Sequence, residues 1–333
     1  MRTLMENPMR KILALFVTFS LTSAIAQQLP QYSQYMRNQY MVNPGAAGVY
    51  DFVDITAGGR MQWLGFDDAP KTAYLYVATE LKRNKRSKYN PSLRTSHGPV
   101  RSPEVNTGRL KHGLGGSVVA DEYGAFRHLR AGLTYAIHMP LSRDYNLSFG
   151  TTVGFSNRAF IQERAQTLNM INGIGTDATY DLYSSQGDLN TIDVGAGLYL
   201  YSKRLFVGLA ANQLTEDYIR IGSNAVHVDP RMHFNITAGY KFDLNNSLTL
   251  TPSVLAKYIY PSPLSIEGSV VFEYREWLWY GLSYRNTDAI VGMVGLNISQ
   301  RFKFGYSFDF SVSRFNQVSS GGHEIVLGVM LGR

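Results

Sequence analysis

The sequence predicts an all-β chain that closes into a transmembrane antiparallel β-barrel of about fourteen strands, with an N-terminal lumen plug. Three observations carry this expectation. The first is alternation, clearest in "RFKFGYSFDFSVSRF". There Phe302, Phe304, Tyr306, Phe308, Phe310 and Val312 alternate with Lys303, Gly305, Ser307, Asp309, Ser311 and Ser313. A strand sends successive side chains to opposite faces, so one face is greasy and the other wet. The second is that such runs are even in number and about as long as the ~9–11 residues of a tilted membrane strand. The third is that the connections mostly alternate short and long, as the turns and loops of outer-membrane barrels do. A soluble sandwich explains the alternation but not this combination.

The elements follow in order. Arg10 and Lys11, the apolar run Ile12 to Ala24 and the small-x-small site Ala24-Ile25-Ala26 read as a signal peptide over 1–26, cleaved before Gln27. Met9 is an alternative start to Met1. Residues 27–50 include "QYSQYMRNQYMVNPGAAG", aromatic and methionine side chains on a polar background. A barrel of this width needs filling or conducts. Tyr32, Tyr35, Met36, Asn43 and Pro44 are the expected plug residues, the alternative being a loose tether. The barrel proper should occupy 51–333, with strands near 51–60, 71–80, 110–120, 126–138, 145–157, 191–201, 204–213, 230–242, 247–258, 264–274, 276–286, 289–299, 301–313 and 323–333. Short connections include 140–144, 202–203, 243–246, 275–276 and 299–300; long ones include 61–70, 158–190, 213–229 and 314–322. The long ones are expected to face outward. The outer loops place Trp63, Phe66, Asp67, His227, Asp229 and Phe315 as partner-binding candidates. Trp63 and Phe66 could equally pack the plug into the barrel mouth.

Composition narrows the chemistry. Tyr (22), Phe (17) and Gly (31) are abundant and only 17% of residues are charged, which suits strands and interfacial aromatics. There is no cysteine, so thiolate metal sites, disulfides and a lipoprotein anchor are excluded. The net charge of +7 is matched by the stretch from Glu80 to Lys111 alone, which holds nine Lys or Arg against two Glu. The basicity is therefore local, and it does not read as nucleic-acid binding. This basic insertion, 81–109, falls on the short-turn side; either it is a periplasmic insertion or the strand count slips by one before it. Its run "LKRNKRSK" reads as a solvated loop, or as a contact for acidic lipid or an acidic domain. No nucleophile elbow, phosphate loop or zinc motif is present, and no cofactor is expected. His227 and Asp229 could form a dyad but read better as a polar loop, with no orienting partner or nucleophile in view. Asp193, Glu267, Glu273 and Asp309 should face the lumen with Arg130, Lys241, Lys257 and Lys303, and pair there or with the plug.

The segments "QYSQYMRNQYMVNPGAAG" and "GGRMQWLGFDDAPKTAYL" together resemble the PorP/SprF family of type IX secretion system membrane proteins. The matching positions are Gln31 to Met36, Asn43-Pro44 with Gly48, and Arg60, Trp63, Gly65, Phe66, Ala69, Pro70 and Thr72. "HGLGGSVVADEYGAF", "YGLSYRNTDAIVGMVGLNIS", "GYSFDFSVS" and "GGHEIVL" extend the likeness along the whole mature chain. The basic insertion and Gly45-Ala46-Ala47 are departures. The resemblance implies a non-enzymatic outer-membrane component of the secretion and gliding machinery. It would work with other type IX components and anchor a secreted adhesin through that protein's C-terminal sorting domain. The Asn43-Pro44 end is also similar to the hatch of FadL-like fourteen-strand transporters, so a transporter or porin for small solutes is the alternative.

Overall fold

The computed structural model describes residues 31–66, 68–81, 105–185, 187–215, 220–221, 231–260, 262–286, 288–298, 301–312 and 319–332. Its strands are β1 (Val53–Met61), β2 (Lys71–Glu80), β3 (Lys111–Tyr123), β4 (Phe126–Pro140), β5 (Asn146–Phe160), β6 (Leu189–Tyr201), β7 (Leu205–Asn212), β8 (Arg220–Ile221), β9 (His233–Tyr240), β10 (Phe242–Asn245), β11 (Leu248–Ile259), β12 (Ser265–Tyr274), β13 (Leu278–Arg285), β14 (Ala289–Ile298), β15 (Phe302–Ser311) and β16 (Gly322–Leu331). Each stave pairs antiparallel with its neighbour, and β1 pairs with β16, so the sheet closes on itself. Two short strands are not separate staves: β10 pairs with β11 beyond the end of β9, and β8 pairs only with β6. Fourteen staves remain, as the alternation predicted. No helix among the described residues is long and apolar enough to cross a membrane.

The faces fall as the pattern requires. In β15, Phe302 and Phe310 are exposed on the outside while Ser307, Asp309 and Ser311 are buried within. The same holds in β4, where Leu133 is 76% exposed and its neighbour Thr134 is buried. A water-soluble sheet would bury these apolar side chains; here they form the face a membrane covers.

The departures have local causes. β6 runs past the end of β7, because their pairing stops at Ala196↔Ala211 and Gln213 then turns with a left-handed φ of 58°. β8 covers part of the free edge, opposite Asn190 and Thr191, as exposed edges generally require. The single run expected over 230–242 breaks at Lys241 into β9 and β10. The long connection after β5 is not irregular throughout: it holds short helices at Leu168–Ile171 and Ala178–Ser185, capped by Thr167 and Asp177.

The basic insertion also finds its side. β2 and β3 are consecutive staves with no slip in count, so the insertion leaves from the rim that carries the short turns. Its C-terminal base is tied to the β4–β5 turn: Thr107 Oγ1 donates to the Arg143 carbonyl, and Gly108 N–H to Asn146 Oδ1. Residues 82–104 lie outside the described part.

Candidate functional site

Two regions gather polar and aromatic side chains: the interior and the rim of long loops. Within the wall, residues 31–49 touch inward-facing side chains on most of its arcs. Ser33 Oγ donates to Asp309 of β15 (2.7 Å), and Ser33 N–H donates to Glu324 of β16 (2.6 Å). The Tyr35 and Ser253 hydroxyls meet at 3.1 Å, and those of Tyr40 and Thr134 at 2.9 Å. Asn38 Nδ2 donates to the Tyr74 hydroxyl (3.0 Å). Arg37 lies over the ring of Trp279, 5.2 Å from its centroid, with Glu273 at 3.9 Å. Tyr32, Tyr35, Asn38 and Asn43 are all buried, and Met36 packs between two apolar clusters. Burial pushes the Tyr35 hydroxyl up to about 12, so it serves as a neutral hydrogen-bonding group.

Asn43-Pro44 builds the lower end of this segment. Asn43 Oδ1 accepts from Gly45 N–H (2.8 Å), capping a one-turn 3-10 helix that Pro44 opens. Its Nδ2 donates to the carbonyls of Leu198 and Leu209. The backbone reaches the wall closely because glycine faces it. A Cβ at Gly150 would lie 2.4 Å from the Pro44 carbonyl carbon, and one at Gly113 would lie 2.0 Å from the Ala47 oxygen. Gly150→Val is therefore expected to displace residues 43–46 while the outer wall still closes. Since the chain has no cysteine, Ala46→Cys supplies a unique thiol. It should resist maleimide alone and react when combined with Gly150→Val; equal labelling in both backgrounds would contradict the packing.

Part of the lumen charge pairs as its alternation with apolar positions suggested, whereas Arg130, Asp193, Lys241 and Lys257 form no ion pair among the described residues, and Asp193 Oδ1 is buried without a hydrogen-bond partner. Lys303 Nζ sits 2.7 Å from Asp54, and Arg60 Nη2 sits 2.7 Å from Asp309. Arg285 joins Glu267 at 2.9 Å and Asp288 at 2.8 Å, with Asp309 at 3.5 Å. Asp54, Arg285 and Glu324 were not named as lumen charges from sequence, and Arg60 was noted only as a family match, although each lies at an inward position of an alternating run. The ion pairs are joined by hydroxyl donors, Ser33 on Asp309 and Thr56 on Asp54. Among the described residues no cluster of His, Asp or Glu is placed to hold a metal.

At the long-loop rim, Trp63 is half-buried with a left-handed φ of 50°, and Phe66 is 41% exposed. Their loop is stitched to the β15–β16 connection: Leu64 N–H donates to the Gly321 carbonyl, and Ser320 N–H to that of Leu64. Asp67, His227, Asp229 and Phe315 lie outside the described residues. Sequence inspection placed 158–190 as a long outward loop but missed the helices within it. Tyr180 and Tyr183 pack against Phe160, and Tyr183 also against Phe126, pinning Ala178–Ser185 to the rim. Beside this stack Leu168, Ile171 and Ile174 are each at least two-thirds exposed, and Leu182 about half. Their signal was legible as apolar residues in a loop too long to be a plain turn.

Three solved structures align over most of this chain. The CymD monoaromatic hydrocarbon channel aligns with a TM-score of 0.49 and 10% identity, over 92% of this chain and 94% of that chain. The toluene transporter TodX of P. putida aligns with a TM-score of 0.48 and 8% identity, over 88% and 94%. Omp33 of Acinetobacter baumannii gives a TM-score of 0.43 and 10% identity, over 85% and 99%. The sequence has no match among curated proteins. The family described as type IX secretion system membrane protein PorP/SprF matches residues 24–329, nearly the whole length. This outer-membrane barrel belongs to the PorP/SprF family of type IX secretion system membrane proteins.

Proposed function

We propose that the barrel is a non-enzymatic anchor that docks a secreted surface protein, an adhesin, through that protein's C-terminal domain. The short turns mark the periplasmic rim and the long loops the outer one. Residues 31–50 act as a plug, so the wall serves as a platform and not as an open pore. The observation that carries this reading is the exposed quartet Leu168, Ile171, Ile174 and Leu182 on a loop whose Tyr180 and Tyr183 pack against the rim aromatics Phe126 and Phe160. Apolar side chains presented on a pre-ordered rim suit protein binding, because little entropy is lost on contact. Trp63 and Phe66 flank the same mouth. Other type IX components would meet the periplasmic rim.

The test is a gentle detergent pull-down from the native outer membrane. A large secreted protein should come with the wild-type barrel. Ile171→Asp with Ile174→Asp should lower its recovery at least about tenfold, as loss of an interface anchor does. Barrel stability should move by less than about 0.5 kcal/mol, since both positions are exposed. A barrel that emerges alone, or a variant that retains its partner fully, would overturn the docking site. A second reading, passage of small solutes, is favoured by a cavity of about 130 Å³ between Tyr40, Met41 and the wall at Gly132 and Gly154. Solute flux into liposomes separates the two.

A further inference from the structure

The short-turn rim carries cations around its circumference. Arg109 ends the insertion before β3, Arg143 lies in the β4–β5 turn, Lys203 and Arg204 join β6 to β7, Arg275 lies between β12 and β13, and Arg301 precedes β15. All six are exposed. Arg204 pairs with Asp243 and Arg109 with Glu80. Against the set stand Asp144, Asp243 and the half-buried Asp51 and Glu276. Among the described residues the opposite rim has the reverse balance, with Asp68, Glu163, Asp181 and Asp188 exposed and Glu122, Asp177 and Asp288 partly so, against Lys71, Arg127, Arg164 and Arg231. The barrel is thus electrically polarised along its axis.

A second feature lies at the same level. Tyr145 and Trp277 are exposed in two of these turns, and the tilted rings of Tyr240 and Phe242 pack at 4.7 Å where β9 gives way to β10. Arg275 lies over the ring of Tyr274 at 5.2 Å. Aromatic residues at strand ends mark the membrane–water interface, where ring and amphipathic handle are both accommodated. The cations therefore stand at headgroup depth.

From this arrangement we infer that the short-turn rim binds anionic phospholipid headgroups, with Arg143, Lys203 and Arg275 as exposed contacts. The distribution favours lipid over an acidic protein. A docked protein covers one arc of a barrel, whereas these cations recur on turns around its whole girth, as a surrounding lipid annulus would require. Lys and Arg side chains near an anionic surface each add attraction, so three together select anionic over zwitterionic headgroups. The inference stands apart from the docking site, which is on the other rim.

Native mass spectrometry of the full chain, released from micelles with equal phosphatidylglycerol and phosphatidylcholine, tests it. Wild-type barrel should retain phosphatidylglycerol preferentially. Arg143→Gln, Lys203→Gln and Arg275→Gln combined should reduce that preference at least about tenfold. Lys71→Gln with Arg127→Gln on the opposite rim should leave it unchanged. The heat-dependent gel shift of a folded barrel checks each variant, and the three single substitutions serve if the combination fails to fold. Equal retention of both lipids by wild type, an unchanged preference in the triple variant, or an equal loss from the opposite rim would each overturn the inference. So would an acidic protein that copurifies through these three residues while no lipid preference exists.

Discussion

Leu133→Arg is expected to destabilise the inserted barrel by about 2–4 kcal/mol, the cost of a cation on a lipid-facing wall at mid-membrane. Leu133 lies near the middle of β4, 76% exposed, between Gly116 of β3 and Val153 of β5. Its neighbours on the outside are apolar, among them Leu75, Val77, Val118 and Phe155. No partner for a guanidinium lies within that patch. The long Arg side chain is too far from either rim to reach water without distorting the bilayer. Urea titration of the barrel in lipid vesicles, read by its heat-dependent gel shift, measures the loss. An unperturbed midpoint would mean that the whole register is slipped by one residue, since a slip exchanges every inward and outward side chain.

The second large effect is expected inside the wall. Arg285→Met should cost about 3–5 kcal/mol, because it strands buried carboxylates that the guanidinium now neutralises. Arg285 is 2% exposed, directly opposite Glu267 in the β12–β13 register, and reaches Asp288 and Asp309 as well. Asp309 has a second cation in Arg60 and a hydroxyl donor in Ser33, so it is partly protected. Glu267 has no other ion pair among the described residues and carries most of the penalty. Combining Arg285→Met with Glu267→Leu should therefore restore much of the stability, since removing both members of a buried pair costs far less than removing one. The same unfolding assay reads both. A double variant as unstable as the single would show that Asp309 or Asp288, and not Glu267, is the group left stranded.

The same logic changes a comparison that sequence alone would suggest. Seen as alternation, Phe304→Arg looks severe and Lys303→Ala mild, since one faces lipid and the other a watery lumen. In the folded chain Lys303 is paired at 2.7 Å with Asp54, which is itself buried beside Thr56 and Tyr76. Its removal leaves that carboxylate uncompensated, so the lumen substitution is also costly. Alternation reports which face a residue occupies, and it carries no information about what stands opposite across the lumen.

The alternating pattern, strand lengths and turn asymmetry were enough to determine a fourteen-stave barrel with its apolar face outward, because the two-residue strand period and the membrane's thickness are both local constraints. The motifs around Asn43-Pro44 and Trp63 pointed to the family. What only the tertiary structure decided involves residues far apart in sequence. Ser33 meets Glu324, Arg60 meets Asp309, and Arg37 stacks on Trp279, contacts set by barrel closure and not by any short-range pattern. The helical loop that presents Ile171 and Ile174 was hidden for a related reason. The helix Ala178–Ser185 gains its hold from aromatic packing onto Phe126 and Phe160 at the rim, since a helix of two turns is too short to be stable from propensity alone.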